Sequence, residues 1–122
     1  MTSPLVLIIE DDRDITSMVG HALKKFDCEL EAIGEGNRAL EFLHDNSPTL
    51  VILDLNLPFV GGDELIEYIR QAPHLTDTKV IVITVYKKEK VPFMVEHADF
   101  FFQKPYNLTD FRQAVGDILP TR

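Results

Sequence analysis

The sequence predicts an α/β domain: a doubly wound, five-stranded parallel sheet with helices on both faces. Three observations predict it. Short apolar runs alternate with segments of helical periodicity along the whole chain. The runs are nearly continuous in apolar residues, as strands covered on both faces require. Finally, 122 residues, 45% hydrophobic and 26% charged, provide for one packed core and no second domain.

The elements follow in order. Leu5 to Ile9 is the first strand. Ile15, Val19, Ala22, Leu23 and Phe26 recur at spacings of three and four and mark the buried face of the first helix, with Asp12 or Asp14 placed to cap it. Leu30 to Ile33 is a weaker second strand. Beyond Gly34-Glu35-Gly36, the residues Ala39, Leu40 and Leu43 mark a short second helix. Leu50 to Leu53 is the third strand; the loop Pro58 to Gly62 leads to a third helix on Leu65, Ile66 and Ile69. Val80 to Ile83, after the Ala72-Pro73-His74 punctuation, is the fourth strand.

Between Lys87 and His97 the pattern is least regular. Pro92 has no backbone donor and breaks any helix begun at Lys87, so the fourth helix is expected to be short, starting near Pro92, or irregular. Phe100 to Phe102 is the fifth strand, with 100 and 102 facing one side and 101 the other. The last helix carries Leu108, Phe111, Val115 and Ile118 and opens at Asn107, with Asp110 three residues on as in a reciprocal cap.

Charge and cysteine usage narrow the function classes. Twelve Lys and Arg against 20 Asp and Glu leave a net charge of −8, which argues against a nucleic-acid partner, because phosphate backbones are held by clustered cations. Cys28 is the only thiol, so no intrachain disulfide forms. Neither a leader pattern after Met1 nor an apolar run near the ~18 residues of a membrane span is present. A cytoplasmic protein with no membrane partner is expected. The chain stops just past Pro120, so no output domain is expected after the last helix.

In an open parallel sheet, ligands bind outside the carboxyl ends of the strands. Those ends present Glu10, Asp11 and Asp12 after the first strand, Asp54 and Asn56 after the third, Thr84 after the fourth, and Lys104-Pro105 after the fifth. Two carboxylates ~4 Å apart at an effective dielectric of ~20 repel by roughly 4 kcal/mol, so a cation belongs among them. Hard oxygen ligands that leave room for water and a phosphoryl group suit Mg²⁺. A carboxylate, Mg²⁺, a hydroxyl and a lysine together serve phosphoryl transfer onto the carboxylate. Asp54 is then the nucleophile, Lys104 offsets phosphoryl charge, and Thr84 donates to a phosphoryl oxygen.

The segments Val6-Leu7-Ile8-Ile9-Glu10-Asp11-Asp12, Val51-Ile52-Leu53-Asp54-Leu55-Asn56-Leu57-Pro58, Val80-Ile81-Val82-Ile83-Thr84 and Lys104-Pro105-Tyr106 together resemble the response-regulator receiver domains of two-component signalling, in particular the chemotaxis-type single-domain regulators. The resemblance covers essentially the whole chain, 1–122. It implies a flavodoxin-like sheet of strand order 2-1-3-4-5. It also implies Asp54 as phosphoacceptor, Asp11 as a direct Mg²⁺ ligand, Glu10 as a ligand through water, and the backbone carbonyl of Asn56 completing the protein's share. The Lys104-Pro105 bond is implied to be cis, and Phe101 to be an aromatic that changes rotamer on activation. A sensor histidine kinase or histidine phosphotransfer protein is the implied donor. The implied output is a protein bound through the face of helix 4, strand 5 and helix 5. Such a chain is a regulator rather than an enzyme, catalysing only its own phosphorylation and dephosphorylation.

Taken singly, each residue has a plain structural reading. The acids at 10 to 12 suit a helix start, Thr84 suits a strand, and Lys104 suits a solvated surface. Lys87, Lys88 and Lys90 read as a solvated face, and the histidines at 21, 44, 74 and 97 lack metal-ligand spacing. The sequence also departs from the family pattern. Gly61-Gly62 stands where Asp-Gly is common, and Val85 and Tyr86 after Thr84 are expected to narrow the approach to Asp54. Three rivals remain. One is a receiver-like module that binds partners without phosphorylation. Another is a Mg²⁺-dependent aspartyl-phosphate phosphohydrolase, which needs an acid where Asn56 stands. The third is a flavin carrier, whose phosphate Glu10-Asp11-Asp12 would repel.

Overall fold

The computed structural model describes residues 3–55 and 61–122. The elements run β1 (Leu5–Ile9), α1 (Arg13–Ala22), β2 (Glu29–Ile33), α2 (Gly36–Asp45), β3 (Leu50–Leu55), α3 (Gly62–Gln71), β4 (Lys79–Thr84), α4 (Pro92–His97), β5 (Phe100–Gln103) and α5 (Leu108–Gly116), with 3-10 turns at Pro73–Leu75 and Lys88–Lys90. The strands form one sheet in the order β2-β1-β3-β4-β5, and every pairing is parallel. This is the flavodoxin-like fold. Its strand order reverses between β1 and β3, where a crevice opens at the carboxyl ends.

Alternation along the central strands sorts side chains into two cores. Leu7, Ile9, Val51, Leu53, Val80 and Val82 pack under α2, α3 and α4. Val6, Ile8, Leu50, Ile52, Ile81 and Ile83 pack under α1 and α5. Burial on both faces is why β1, β3 and β4 carry the apolar runs 5–9, 50–53 and 80–83, whereas the edge strand β2 exposes four of its five residues and reads weakly.

Helix boundaries follow local chemistry. Asp12, not Asp14, caps α1, accepting from the amides of Asp14 (2.8 Å) and Ile15 (3.3 Å). That helix ends at Ala22, yet Leu23 and Phe26 still reach the core through the turn that follows it. The first glycine of Gly61-Gly62 has a conformational reason to be there, since α3 starts from Gly61 at φ 94°, a region that side chains disfavour. The fourth helix starts at Pro92 and lasts six residues, as its proline requires. Asn107 Oδ1 accepts from Asp110 N at 3.1 Å and caps α5. Among the described residues, no helix is long and apolar enough to cross a membrane.

Candidate functional site

Three consecutive acids leave β1 and the backbone sends them to three different tasks. The amide of Glu10 still donates to Ile33 O on β2 (3.1 Å), which carries its side chain into the crevice, where it is 4% exposed. Its Oε1 accepts from Asp12 N at 2.9 Å, while Oε2 is buried without a hydrogen-bond partner among the described residues. Asp11 is exposed, and Asp12 is the cap already described.

Asp54 was expected just past the third strand. It lies within β3, because the ladder with β4 continues through Asp54↔Ile83 and Leu55↔Thr84. Strand pairing, which the apolar run alone does not reveal, thus buries Asp54 to 2% exposure. Lys104 Nζ stands 2.7 Å from its Oδ1. Neither carboxylate oxygen receives a well-directed hydrogen bond among the described residues, so the contact is a close charge pairing. Thr84 likewise belongs to the strand, as the last residue of β4, fully buried. Its Oγ1 accepts from Tyr86 N at 3.1 Å, and its carbonyl accepts from Lys104 N at 2.7 Å. The Lys104-Pro105 bond is cis.

The electrostatics follow from this burial. Desolvation pushes the Glu10 carboxyl up from 4.5 to about 7; the Asp12 amide opposes the rise, and Asp11 and the Asp54 charge add to it. Desolvation also raises Asp54, against the opposing Lys104 ammonium and, more weakly, Glu10. The structure therefore joins Glu10, Asp54, Thr84 and Lys104 in one crevice, with Asp11 at its mouth. Asn56 lies outside the described residues.

Whether a divalent cation fits can be judged from the buried oxygens. Among the described residues, Glu10 Oε2 and both Asp54 oxygens are buried acceptors without donors, the condition a hard cation relieves. Among the described residues no three His, Cys, Asp or Glu side chains gather at metal-holding distances. Few carboxylates with open positions suit an ion that completes its shell with water and phosphoryl oxygens.

Phe101 is partly buried against the core beneath α3 and α4, whereas Phe100 and Phe102 pack on the opposite side, as alternation predicts. One neighbour escaped the sequence reading. Tyr106 packs with Phe102 and Phe111 at ring separations of 5.7 to 5.9 Å, and its phenol is raised by burial and by the Asp54 charge. Its position two residues after Lys104 was the available signal.

Comparison with known proteins agrees with this geometry. The family model of the response regulator receiver domain matches residues 6–116. The response regulator Rcp1 of Synechocystis is 33% identical over 125 residues, covering 93% of this chain and 85% of that protein. Its Mn²⁺-bound crystal structure superposes with a TM-score of 0.74 at 31% identity, over 94% of this chain and 91% of that one. The chemotaxis response regulator CheY4 of Vibrio cholerae gives a TM-score of 0.81 at 25% identity, covering 97% of this chain and all of that one. Other relatives are much longer. The chain spans 52% of the transcriptional regulatory protein PrrA of Mycobacterium tuberculosis and 12% of the sensor histidine kinase TmoS of Ectopseudomonas mendocina, each at 27% identity.

Proposed function

The chain belongs to the response regulator receiver domain family, the phosphorylation-operated switches of two-component signalling, and from that premise we propose that Asp54 is its phosphoacceptor, within one receiver domain spanning residues 1–122. Receiver domains are regulators that interact with histidine kinases, not classical enzymes. The chemistry beyond that general role is argued from the residues.

The observation that carries the reading is a buried Asp54 whose carboxylate touches Lys104 Nζ at 2.7 Å yet, among the described residues, keeps both oxygens without directed donors. An Asp54 oxygen attacks the phosphorus of a phosphohistidine on a sensor kinase or phosphotransfer protein. The O–P bond forms as the N–P bond breaks, and the electron pair leaves with the imidazole. Lys104 stays beside the acceptor and offsets the added charge of about −1.5 to −2. Thr84, buried one strand away, donates its hydroxyl hydrogen to a phosphoryl oxygen, its own oxygen being an acceptor for the Tyr86 amide. Loss of the phosphoryl group to water returns the carboxylate, so the domain catalyses its own charging and discharge.

Glu10, Asp11, Asp54 and the backbone carbonyl of Asn56 are the groups proposed to hold Mg²⁺, and the family's divalent-metal binding, seen in Mn²⁺-bound Rcp1, supports this. When bound, the cation supplies positive charge to the phosphoryl oxygens and orients them. Phe101 is the proposed aromatic switch. Output goes to another protein through the face of α4, β5 and α5, in the cytoplasm, with no direct contact to nucleic acid.

The test is incubation with acetyl phosphate and Mg²⁺ followed by intact mass. A single phosphoryl addition that Asp54→Asn and Lys104→Ala both lose is expected. An unmodified wild-type mass would leave a phosphorylation-independent interaction module in its place.

A further inference from the structure

We propose that the cleft between α5 and the turn that follows α1 binds a small diphosphate, held by Lys25, Arg112 and Arg122. The cleft lies at the end of the sheet opposite Asp54, where α1 returns the chain to the start of β2. It goes beyond the receiver reading and does not depend on it.

The cations are held in place by backbone. After α1 the chain turns through Leu23 to Phe26, and residues 119–122 lie back on that turn. Thr121 bridges Phe26 in antiparallel fashion, Asp27 N donates to Pro120 O at 2.9 Å, and Arg122 N donates to Lys25 O at 2.8 Å. Two guanidiniums cover carbonyls that the end of α1 leaves open: Arg112 Nε donates to Ala22 O at 3.3 Å, and Arg122 Nε to Phe26 O at 2.9 Å. Each bond uses one of the five N–H donors of its arginine and fixes the plane of the fork. The paired terminal nitrogens remain for an anion, which such a fork grips by two parallel hydrogen bonds. Lys25 Nζ is set 5.3 Å from the centre of the Phe26 ring. Among the described residues none of these three cations has an ion-pair partner; the ion pairs there are Arg70–Asp99 and Lys104–Asp54.

Shape and charge select the ligand. The cleft encloses about 740 Å³ and is lined by Lys25, Phe26, Arg112, Gly116, Asp117 and Thr121, among others, a size that suits a small molecule. Its floor is open because Gly116 has no side chain, and a Cβ there would stand 3.7 Å from the Phe26 ring. Three cations face the one lining carboxylate, Asp117, on a chain of net charge −8. Asp27, the acid of the turn, accepts from the Ser3 hydroxyl at 2.9 Å. The carbonyls that anchor the two guanidiniums are four residues apart, roughly one turn or about 5–6 Å, so two linked phosphoryl groups match them better than one. Asp117 disfavours a weakly charged ligand, and a diphosphate carries more charge than a dicarboxylate of similar span. A nucleic-acid backbone brings more phosphates than three cations neutralise, and the acidic remainder of the chain repels them.

The probe is inorganic pyrophosphate, titrated into the isotope-labelled protein at low salt in EDTA, beside ADP, orthophosphate and succinate. Saturable binding at ~1 mM or tighter is expected, with amide shifts concentrated on residues 25–27, 112–117 and 121–122 and a raised melting temperature. Orthophosphate and succinate should bind about tenfold more weakly. ADP binding at least as tightly as pyrophosphate would support the site and place a nucleoside beyond the diphosphate. Arg112→Gln, which keeps a donor for Ala22 O, should weaken pyrophosphate about tenfold, as should Lys25→Gln. Gly116→Leu should do the same without changing any charge, by filling the floor. Lys87→Gln with Lys88→Gln, on the β4–α4 connection, should leave affinity unchanged. The proposal is overturned if no saturable binding occurs, if the shifts fall on residues 10–12 and 84–86 instead, if orthophosphate or succinate binds as tightly as pyrophosphate, or if the Lys87 and Lys88 changes weaken binding as much as Arg112→Gln.

Discussion

In metal-free protein, Glu10→Gln should remove much of the pH dependence of stability. The wild-type carboxyl titrates near 7 in the folded state against 4.5 ordinarily, chiefly because burial disfavours its charge. Between those values the folded chain holds a proton that the unfolded chain has released, so stability declines as pH rises. The contribution is full below about 4.5 and lost as pH passes through about 7. A gap of about 2.5 pH units at ~1.36 kcal/mol each makes the loss roughly 3 kcal/mol. Glutamine keeps an acceptor for the Asp12 amide, now at 2.9 Å from Oε1, and does not titrate. The assay is urea unfolding in EDTA at pH 5 and 8.5. Wild type should lose stability between the two, and Glu10→Gln should lose markedly less, retaining only the part due to Asp54, which burial also raises. Added Mg²⁺ at pH 8.5 should restore wild type by preferential binding to the folded state. Equal pH slopes in the two proteins would show that Glu10 is not the buried titrating group.

Three further outcomes are expected. Asp54→Asn should stabilise the metal-free protein by ~1 kcal/mol, because it removes a desolvated charge beside Glu10, and should abolish phosphoryl uptake; a lowered melting temperature in EDTA contradicts the first half. Arg70→Gln should cost about 2 kcal/mol in urea unfolding, since it releases the carbonyls of His97 and Thr78 and the carboxylate of Asp99 together, and amide exchange should speed up around residues 97–99. Val85→Ala should hasten loss of the phosphoryl group from Asp54, measured by intact mass over time, and an unchanged rate removes Val85 as an obstacle to water.

Much of this architecture is legible in the residues because burial on both faces leaves an unambiguous trace. Ile8, Ile52 and Ile81 belong to runs with no polar interruption, and those runs are the three central strands. Strand ends are less legible. Asp54 looks like a turn residue by composition and Thr84 stands just past an apolar run, yet inter-strand hydrogen bonding extends β3 and β4 over them. Their burial, and the raised Asp54 carboxyl, follow from pairing rather than polarity. Pro92 marked the start of α4 through its missing donor, a purely local effect. Arg70 carried no such mark. Its guanidinium joins the end of α4 to the start of β4 through groups that become neighbours only in the folded chain.

The same reasoning explains why the site is costly at rest and receptive when a partner arrives. Placing Asp54 in a ladder between two cores gives it a fixed position, and a fixed position is what in-line phosphoryl transfer demands. That placement strips its carboxylate of water, and the Lys104 ammonium at 2.7 Å compensates only partly, since burial still raises the group. Additional donors near Asp54 would stabilise the empty domain, but they would occupy the lone pairs that a cation and a phosphoryl group need. The unpartnered oxygens of Glu10 and Asp54 are therefore where stability and reactivity oppose each other. Thr84 shows a different arrangement, for its hydroxyl oxygen accepts from the Tyr86 amide while its hydrogen stays available to donate. In the proposed switch, carboxylate oxygens without donors among the described residues and a hydroxyl that keeps its hydrogen leave the site to be completed by a cation and a phosphoryl group.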